Sequence, residues 1–157
     1  MKYRRLKTIP GDGTITRYYK LDEGEEALCN CFYGIKDDVA ERIEGTASGY
    51  GVIGFSHGGN NLVKGRLLLD INPGVLYMGI FEGEESDRPA IGDVVNGYQK
   101  VVDTHYDGDD GVSNIEWGVE VLDNPYYIFH IVQPEGSAYA SEIDDSGAGE
   151  SSGTVTP

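Results

Sequence analysis

Glycine is what most limits this chain. It occurs 23 times in 157 residues, and six copies fall within residues 45–59, GTASGYGVIGFSHGG. A glycine inside a helix costs about 1 kcal/mol relative to alanine, so few windows can hold a stable helix. Tyrosine points the same way: there are eleven, against four Phe and one Trp. Tyrosine suits a pleated, half-buried surface. The two signals together predict an all-β protein.

Hydrophobic spacing places the strands. In residues 115–122, IEWGVEVL, the side chains of Ile115, Trp117, Val119 and Val121 share one face, and Glu116 and Glu120 share the other. That alternation predicts a strand with one wet face and a buried Trp117. Residues 126–132, YYIFHIV, are apolar almost throughout and predict a strand in the middle of a packed sheet. Residues 14–21, 27–33 and 50–56 supply further strands, and 3–9 an extended segment ended by Pro10-Gly11-Asp12-Gly13. Residues 62–71 and 75–81 flank Asn72-Pro73-Gly74 and read as a hairpin. Residues 93–103 read as one strand, or as two around Asn96-Gly97, a favoured hairpin turn. One helix is expected, over 35–43, where Ile35, Val39 and Ile43 recur at every fourth position. About eight to ten short strands spaced roughly 8–12 residues apart predict a sandwich or barrel over residues 1–133. Residues 134–157 change character: PEGSAYASEIDDSGAGESSGTVTP is rich in Ser, Gly and acids, cannot form a core, and reads as an extended acidic C-terminal tail.

Charge is unevenly divided. The net charge is -15. The first 20 residues hold six Lys/Arg (Lys2, Arg4, Arg5, Lys7, Arg17, Lys20) and one acid, Asp12, a balance of +5 that leaves -20 for the rest. No Lys or Arg follows Lys100, while twelve Asp/Glu do. Such a surface repels phosphates and argues against nucleic acid as a partner. The basic segment, residues 1–9, is either an edge strand with solvated charges or a docking arm that can pair with a neighbour's acidic body. It has no apolar stretch of signal-peptide type, and no apolar run approaches the ~18 residues of a membrane-spanning helix. A chain made in a cytosol is the expectation.

The motifs that could carry chemistry are weak. Residues 49–54, GYGVIG, match G-x-G-x-x-G, but FSHGGNNL follows and will not open a helix, so a β-protein loop is the better reading. Asp103-Thr104-His105-Tyr106-Asp107 begins like a calcium loop, yet His105 stands at its third position and Asn114 at its twelfth. Asp107, Asp109 and Asp110 read as a turn. Asp37-Asp38 and Glu84-Glu85 read as solvated charge. His57, His105 and His130 show no metal-ligand spacing, and His130 is expected to be a hydrogen-bonded histidine within a sheet. Ser56-His57 are neighbours on an expected strand and point to opposite faces. Cys29 and Cys31, in LCNCFY, would share one face of a strand, where a disulfide needs distorted geometry and a metal needs more ligands. Two free thiols are the expectation. Tyr18-Tyr19 and Tyr126-Tyr127 are candidate aromatic platforms for glycan or protein. No catalytic group, cofactor or metal is therefore expected.

In layout the chain resembles the head decoration (cement) proteins of tailed phages. It shares a Gly-rich β-core carrying GRLLLDINPGVLYMGIF and PAIGDVV, a charged N-terminal arm and an acidic Ser/Gly tail. The resemblance implies a non-enzymatic virion protein, assembled in the host cytoplasm, that binds a major capsid protein as a homo-oligomer, a trimer by analogy. The contact residues expected on this reading are Lys2, Arg4, Arg5 and Lys7 in the arm and Tyr139, Ile143 and Val155 in the tail. A tyrosine-rich binding module, including a tail or baseplate component, is the alternative.

Overall fold

The computed structural model describes residues 3–8, 15–56, 62–63, 66–106 and 125–137. Among these residues the chain is all-β: eleven strands, one short 3-10 turn at Glu85–Asp87 and no α-helix. The strands are β1 (Tyr3–Thr8), β2 (Thr16–Leu21), β3 (Cys31–Lys36), β4 (Val39–Arg42), β5 (Val52–Ser56), β6 (Leu62–Val63), β7 (Arg66–Asp70), β8 (Val75–Ile80), β9 (Val94–Val95), β10 (Gln99–His105) and β11 (Tyr126–Ile131).

They form two layers. One is a small barrel in which β2, β4, β3, β5 and β7 neighbour one another in turn, and β7 closes back onto β2 over Thr16–Lys20. β6 adds to the outer part of β7. The other is a five-stranded sheet in the order β1-β8-β11-β10-β9, antiparallel throughout.

Alternation along β3 explains how the layers stack. Tyr33 and Ile35 point into the barrel, where they meet Ala40, Leu67, Leu69 and Ile71. Phe32 points out of the barrel wall with Ile53 and Phe55. Opposite them stand Val75, Tyr77, Tyr98, Val101, Tyr127, Phe129 and Ile131 of the sheet. Phe32 lies between 4.7 and 5.6 Å, centroid to centroid, from the rings of Tyr3, Phe55, Tyr77, Tyr98 and Phe129. The far face of the sheet buries a third group, Leu76, Met78, Tyr126 and Ile128, with Leu6 and Val102 against it. β11 is thus buried at every position, as its apolar run predicted, and lies between β8 and β10.

Close packing of the barrel requires glycine at two places. A Cβ on Gly34 would sit 2.3 Å from the Tyr50 ring, which lies flat across that backbone. A Cβ on Gly54 would sit 2.8 Å from the Leu69 Cβ inside the barrel. Beside Gly54, β5 and β7 pair through a single position, Phe55 with Asp70. The buried Gln133 side chain fills the gap. Its Oε1 accepts from Ile53 N at 2.7 Å, and its Nε2 donates to Ile53 O at 2.7 Å and Ile71 O at 3.0 Å. A side-chain amide carries the same donor and acceptor as a peptide unit, so Gln133 acts as one rung of the missing ladder.

Three expectations are corrected. Residues 35–43 are not a helix but the β3–β4 hairpin, paired Lys36 with Val39 and Ile35 with Ala40. Asp37 and Asp38 form its two-residue turn with φ of 53° and 63°, the left-handed pair of a type I′ turn that aspartate tolerates. Asn72-Pro73-Gly74 is not a hairpin tip, because β7 belongs to the barrel and β8 to the sheet. It is the crossing between layers, held by Asn72 N donating to Asp70 Oδ1 at 3.0 Å and Gly74 N to Asn72 Oδ1 at 2.7 Å. Cys29 precedes β3 rather than lying in it. Asn30 between the cysteines has φ 59°, and neither cysteine is in a disulfide: Cys29 is exposed, and the half-buried Cys31 donates its Sγ to Cys29 O at 3.4 Å. By contrast, Asn96-Gly97 does turn β9 into β10, with φ of 54° and 80°. Residues 115–122, with Trp117, lie outside the described residues.

Candidate interaction surfaces

The first surface is the sheet edge formed by β1. Among the described residues β1 pairs only with β8, from Tyr3 with Gly79 to Thr8 with Val75, so its other backbone edge is open. Its side chains explain why it is part of the fold. Tyr3 packs edge-on against Phe32 and Phe129, and its hydroxyl accepts from Gln99 Nε2 at 3.1 Å. Leu6 joins the cluster on the far face. The register shifts between Arg5 and Lys7.

The basic residues of this strand are not equivalent. Arg4 is exposed. The Arg5 Nε lies 3.4 Å from Oδ2 of Asp70, whose side chain is fully buried while that of Arg5 is 25% exposed. A buried carboxylate needs such a partner, and removing one member of a buried pair costs about 3–5 kcal/mol. Arg5 is therefore engaged within the subunit. The Lys7 backbone pairs with Leu76. Lys2, Tyr139, Ile143 and Val155 lie outside the described residues, as do His57, Asp107, Asp109 and Asp110.

The second surface is a cleft of about 680 Å³ between the segment after β8 and the start of the β9–β10 hairpin. Phe81, Glu82, Asp87, Arg88, Asp93 and Val94 are among its walls. No sequence motif marked it. The walls are tied down: Tyr106 donates its hydroxyl to Pro89 O, Ala90 N donates to Asp93 Oδ2 at 2.9 Å, and Gly92 N donates to Val101 O at 2.9 Å. The Arg88 guanidinium lies 5.0 Å above the Tyr106 ring. Its Nε is buried and finds no hydrogen-bond acceptor among the described residues. An unsatisfied buried donor costs about 1–3 kcal/mol, more when charged. Burial raises the Tyr106 phenol to about 12, although the Arg88 charge pulls the other way. Of the three most exposed large apolar side chains among the described residues, Val94, at 47%, lines the cleft, and Ile91, at 63%, lies on the chain between its wall residues Pro89 and Asp93 without lining it. The third is Tyr18 on β2, at 49%.

Groups with catalytic potential lie apart from this cleft. The His105 Nε2 is 3.0 Å from Asp103 Oδ2, and its ring stacks on Tyr126 at 4.9 Å. Neither residue lines the cleft. His130 is buried, with Nδ1 3.1 Å from Ile131 O, the sheet histidine expected from its neighbours. Ser56 is buried at the end of β5. Residues 49–51 lead into β5 and residues 52–54 are its first half, not the turn from a strand into a helix. Among the described residues no three His, Cys, Asp or Glu side chains gather as metal ligands, and no helix is long and apolar enough to cross a membrane. Of the paired tyrosines, Tyr126 and Tyr127 are both buried, and Tyr127 donates to Gln99 Oε1 at 2.5 Å.

No family model matches the chain, and no curated protein or solved structure is significantly similar to it.

Proposed function

We propose that this protein is a non-enzymatic virion component that decorates and stabilises a phage capsid, with β1 as one of its contacts. The observation that carries the reading is where the positive charge sits. The +5 segment of an otherwise acidic chain includes an edge strand whose backbone is open among the described residues and whose Arg4 faces solvent. Charged edge strands also serve to prevent unwanted pairing. Here the charge is opposite in sign to the rest of the chain, which favours a neighbour's acidic surface. A stable contact of this kind buries about 1,600 Å² in total, so one strand needs help from elsewhere on the subunit. The tail anchors Tyr139, Ile143 and Val155 would add to it, as would subunit association into a homo-oligomer.

The test is to purify particles on a density gradient and quantify this chain in them. Stoichiometric recovery with the major capsid protein is expected; recovery only as a stable free monomer would sink the reading. In reassembly, Arg4→Glu should reduce particle binding while leaving the melting temperature unchanged. Raised salt should weaken the contact, because exposed charges are screened beyond about 8–10 Å.

A second reading, recognition of glycan or protein through tyrosines, rests on the Tyr18-Tyr19 pair, of which Tyr18 is exposed while Tyr19 is partly buried against the barrel core, since Tyr126 and Tyr127 are inside the molecule. Saturable glycan-array binding that Tyr18→Ala abolishes would favour it.

A further inference from the structure

We infer that Cys29-Asn30-Cys31 is a thiol–disulfide exchange site: the exposed Cys29 attacks a small disulfide such as glutathione disulfide, and Cys31 resolves the adduct by closing an internal disulfide. The site is independent of the capsid reading. In a regular strand this pair would be poorly placed. Alternate strand positions lie about 6.6 Å apart, near the far limit of about 6.8 Å that a disulfide spans. The fold removes that obstacle. The chain bends at Cys29 and Asn30 before entering β3, and Asn30 is left-handed, at φ 59°. Asn30 N donates to Ser56 O, which fixes the bend. A bend shortens the span between the residues that flank it. The Cys31 Sγ lies against the Cys29 backbone, 3.4 Å from its carbonyl oxygen.

The two cysteines differ in the way the two steps require. Cys29 is exposed, so a soluble disulfide can reach it, whereas Cys31 is half-buried. The Cys29 thiolate attacks one sulfur of glutathione disulfide, forming a mixed disulfide and releasing one glutathione thiolate. The Cys31 thiolate then attacks the Cys29 sulfur, the internal disulfide forms, and the second glutathione leaves. Two protein thiols are oxidised and one disulfide is reduced to two thiols. The two protein protons pass through solvent to the departing thiolates. Burial raises the Cys31 thiol, while the Arg42 guanidinium beside it pulls the other way, as a charge and as a hydrogen-bond donor. Arg42 therefore favours the thiolate of the resolving step. A loop this short leaves its bond strained even across a bend, and strained, exposed disulfides are readily reduced. The bond is then reversible rather than structural.

The experiment incubates the full chain with glutathione disulfide, quenches with acid at intervals, and follows intact mass and peptide maps. The expected wild-type product has lost two hydrogens and retains no glutathione, and reduced glutathione should reopen it. C31S should stop at the mixed disulfide on Cys29. C29S should react at least about tenfold more slowly, because reactivity follows exposure of the thiol. R42Q should slow closure near neutral pH, and the deficit should shrink as pH rises and the thiol ionises without help. Closure should also be faster in the folded protein than in the urea-unfolded chain. No reaction of the wild type would overturn the site. A stable glutathione adduct on the wild type, or covalent dimers in place of the internal bond, would overturn the resolving role of Cys31. Equal rates for C29S and C31S would overturn Cys29 as the attacking thiol, and equal closure in the unfolded chain would overturn the part played by the bend.

Discussion

The inside of the barrel and the seam between barrel and sheet are both fully buried, yet they are built from different residues. The barrel interior is mainly aliphatic among the described residues: Ile35, Ala40, Leu67, Leu69 and Ile71, with Tyr33 as the one fully buried ring and the partly buried Tyr19 packed against it. Even the Tyr33 ring is used as a polar strut, its hydroxyl donating to Glu26 O at 2.7 Å and accepting from Leu28 N at 2.9 Å. The seam is mainly aromatic, with Phe32, Phe55, Tyr77, Tyr98, Tyr127 and Phe129 in contact. A closed ring of five strands encloses little volume, so its interior takes small branched side chains and a glycine at position 54. Two stacked sheets stand about 10 Å apart, and rings projecting from both sides fill that space in edge-on and tilted pairs. Barrel closure therefore depends on backbone pairing, and layer stacking on aromatic area.

The largest way to test this contrast is alkali. Burial pushes the phenols of Tyr77, Tyr98 and Tyr127 upward, all three in the seam. A phenol is neutral when protonated, so the fold holds these protons more tightly than the unfolded chain, where the pKa is about 10. Their contribution is complete below about pH 10 and is lost as pH rises through the folded values. Native protein should show delayed phenolate absorbance, then a cooperative step in which ionisation and unfolding coincide. Tyr50 reports separately: burial, followed by its 2.6 Å bond to Glu41, raises it to about 12. Smooth titration of all eleven tyrosines near pH 10 would mean that the seam is open to water.

Single substitutions should rank below that. Phe32→Ala, at the centre of the ring cluster, should cost about 3–5 kcal/mol in denaturant unfolding. A loss under about 1 kcal/mol would show that the layers are not held by aromatic packing. Gln133→Ala strands the Ile53 N–H and the Ile53 and Ile71 carbonyls, and should cost about 2–3 kcal/mol. Amide exchange at Ile53 should accelerate in the same variant; unchanged exchange would mean that β5 and β7 hold together without the side chain. Gly54→Ala forces a methyl against the Leu69 Cβ and should cost about 1–3 kcal/mol. The smallest effect has the opposite sign. Asp38→Gly relieves a left-handed non-glycine at φ 63° and should stabilise the β3–β4 hairpin by no more than about 1 kcal/mol.

The two surfaces differed in how visible they were beforehand. Arg4 could be picked out because a basic cluster stands out in an acidic chain. The cleft could not, because its walls, from Ile80 to Asn96, come together only in the fold. Likewise Arg5 looked interchangeable with Arg4 until the register of β1 on β8 turned it toward Asp70.

What the sequence by itself determined was local. Glycine and tyrosine content excluded a helical protein, the apolar run at 126–132 announced a central strand, and Asn96-Gly97 announced its turn. Each depends on neighbours a few positions away. The tertiary structure decided what depends on pairing partners distant in the chain. Residues 35–43 satisfy a helical spacing, but β3 gains a second strand on its other side, β5, and that pairing favours the hairpin. Asn72-Pro73-Gly74 is a tight turn in either reading, and only the layer that accepts β8 makes it a crossing. Gln133 is an ordinary polar residue in sequence. It became a rung of the sheet because β5 and β7 diverge where a glycine lets the barrel close, and the backbone groups exposed there had to find partners.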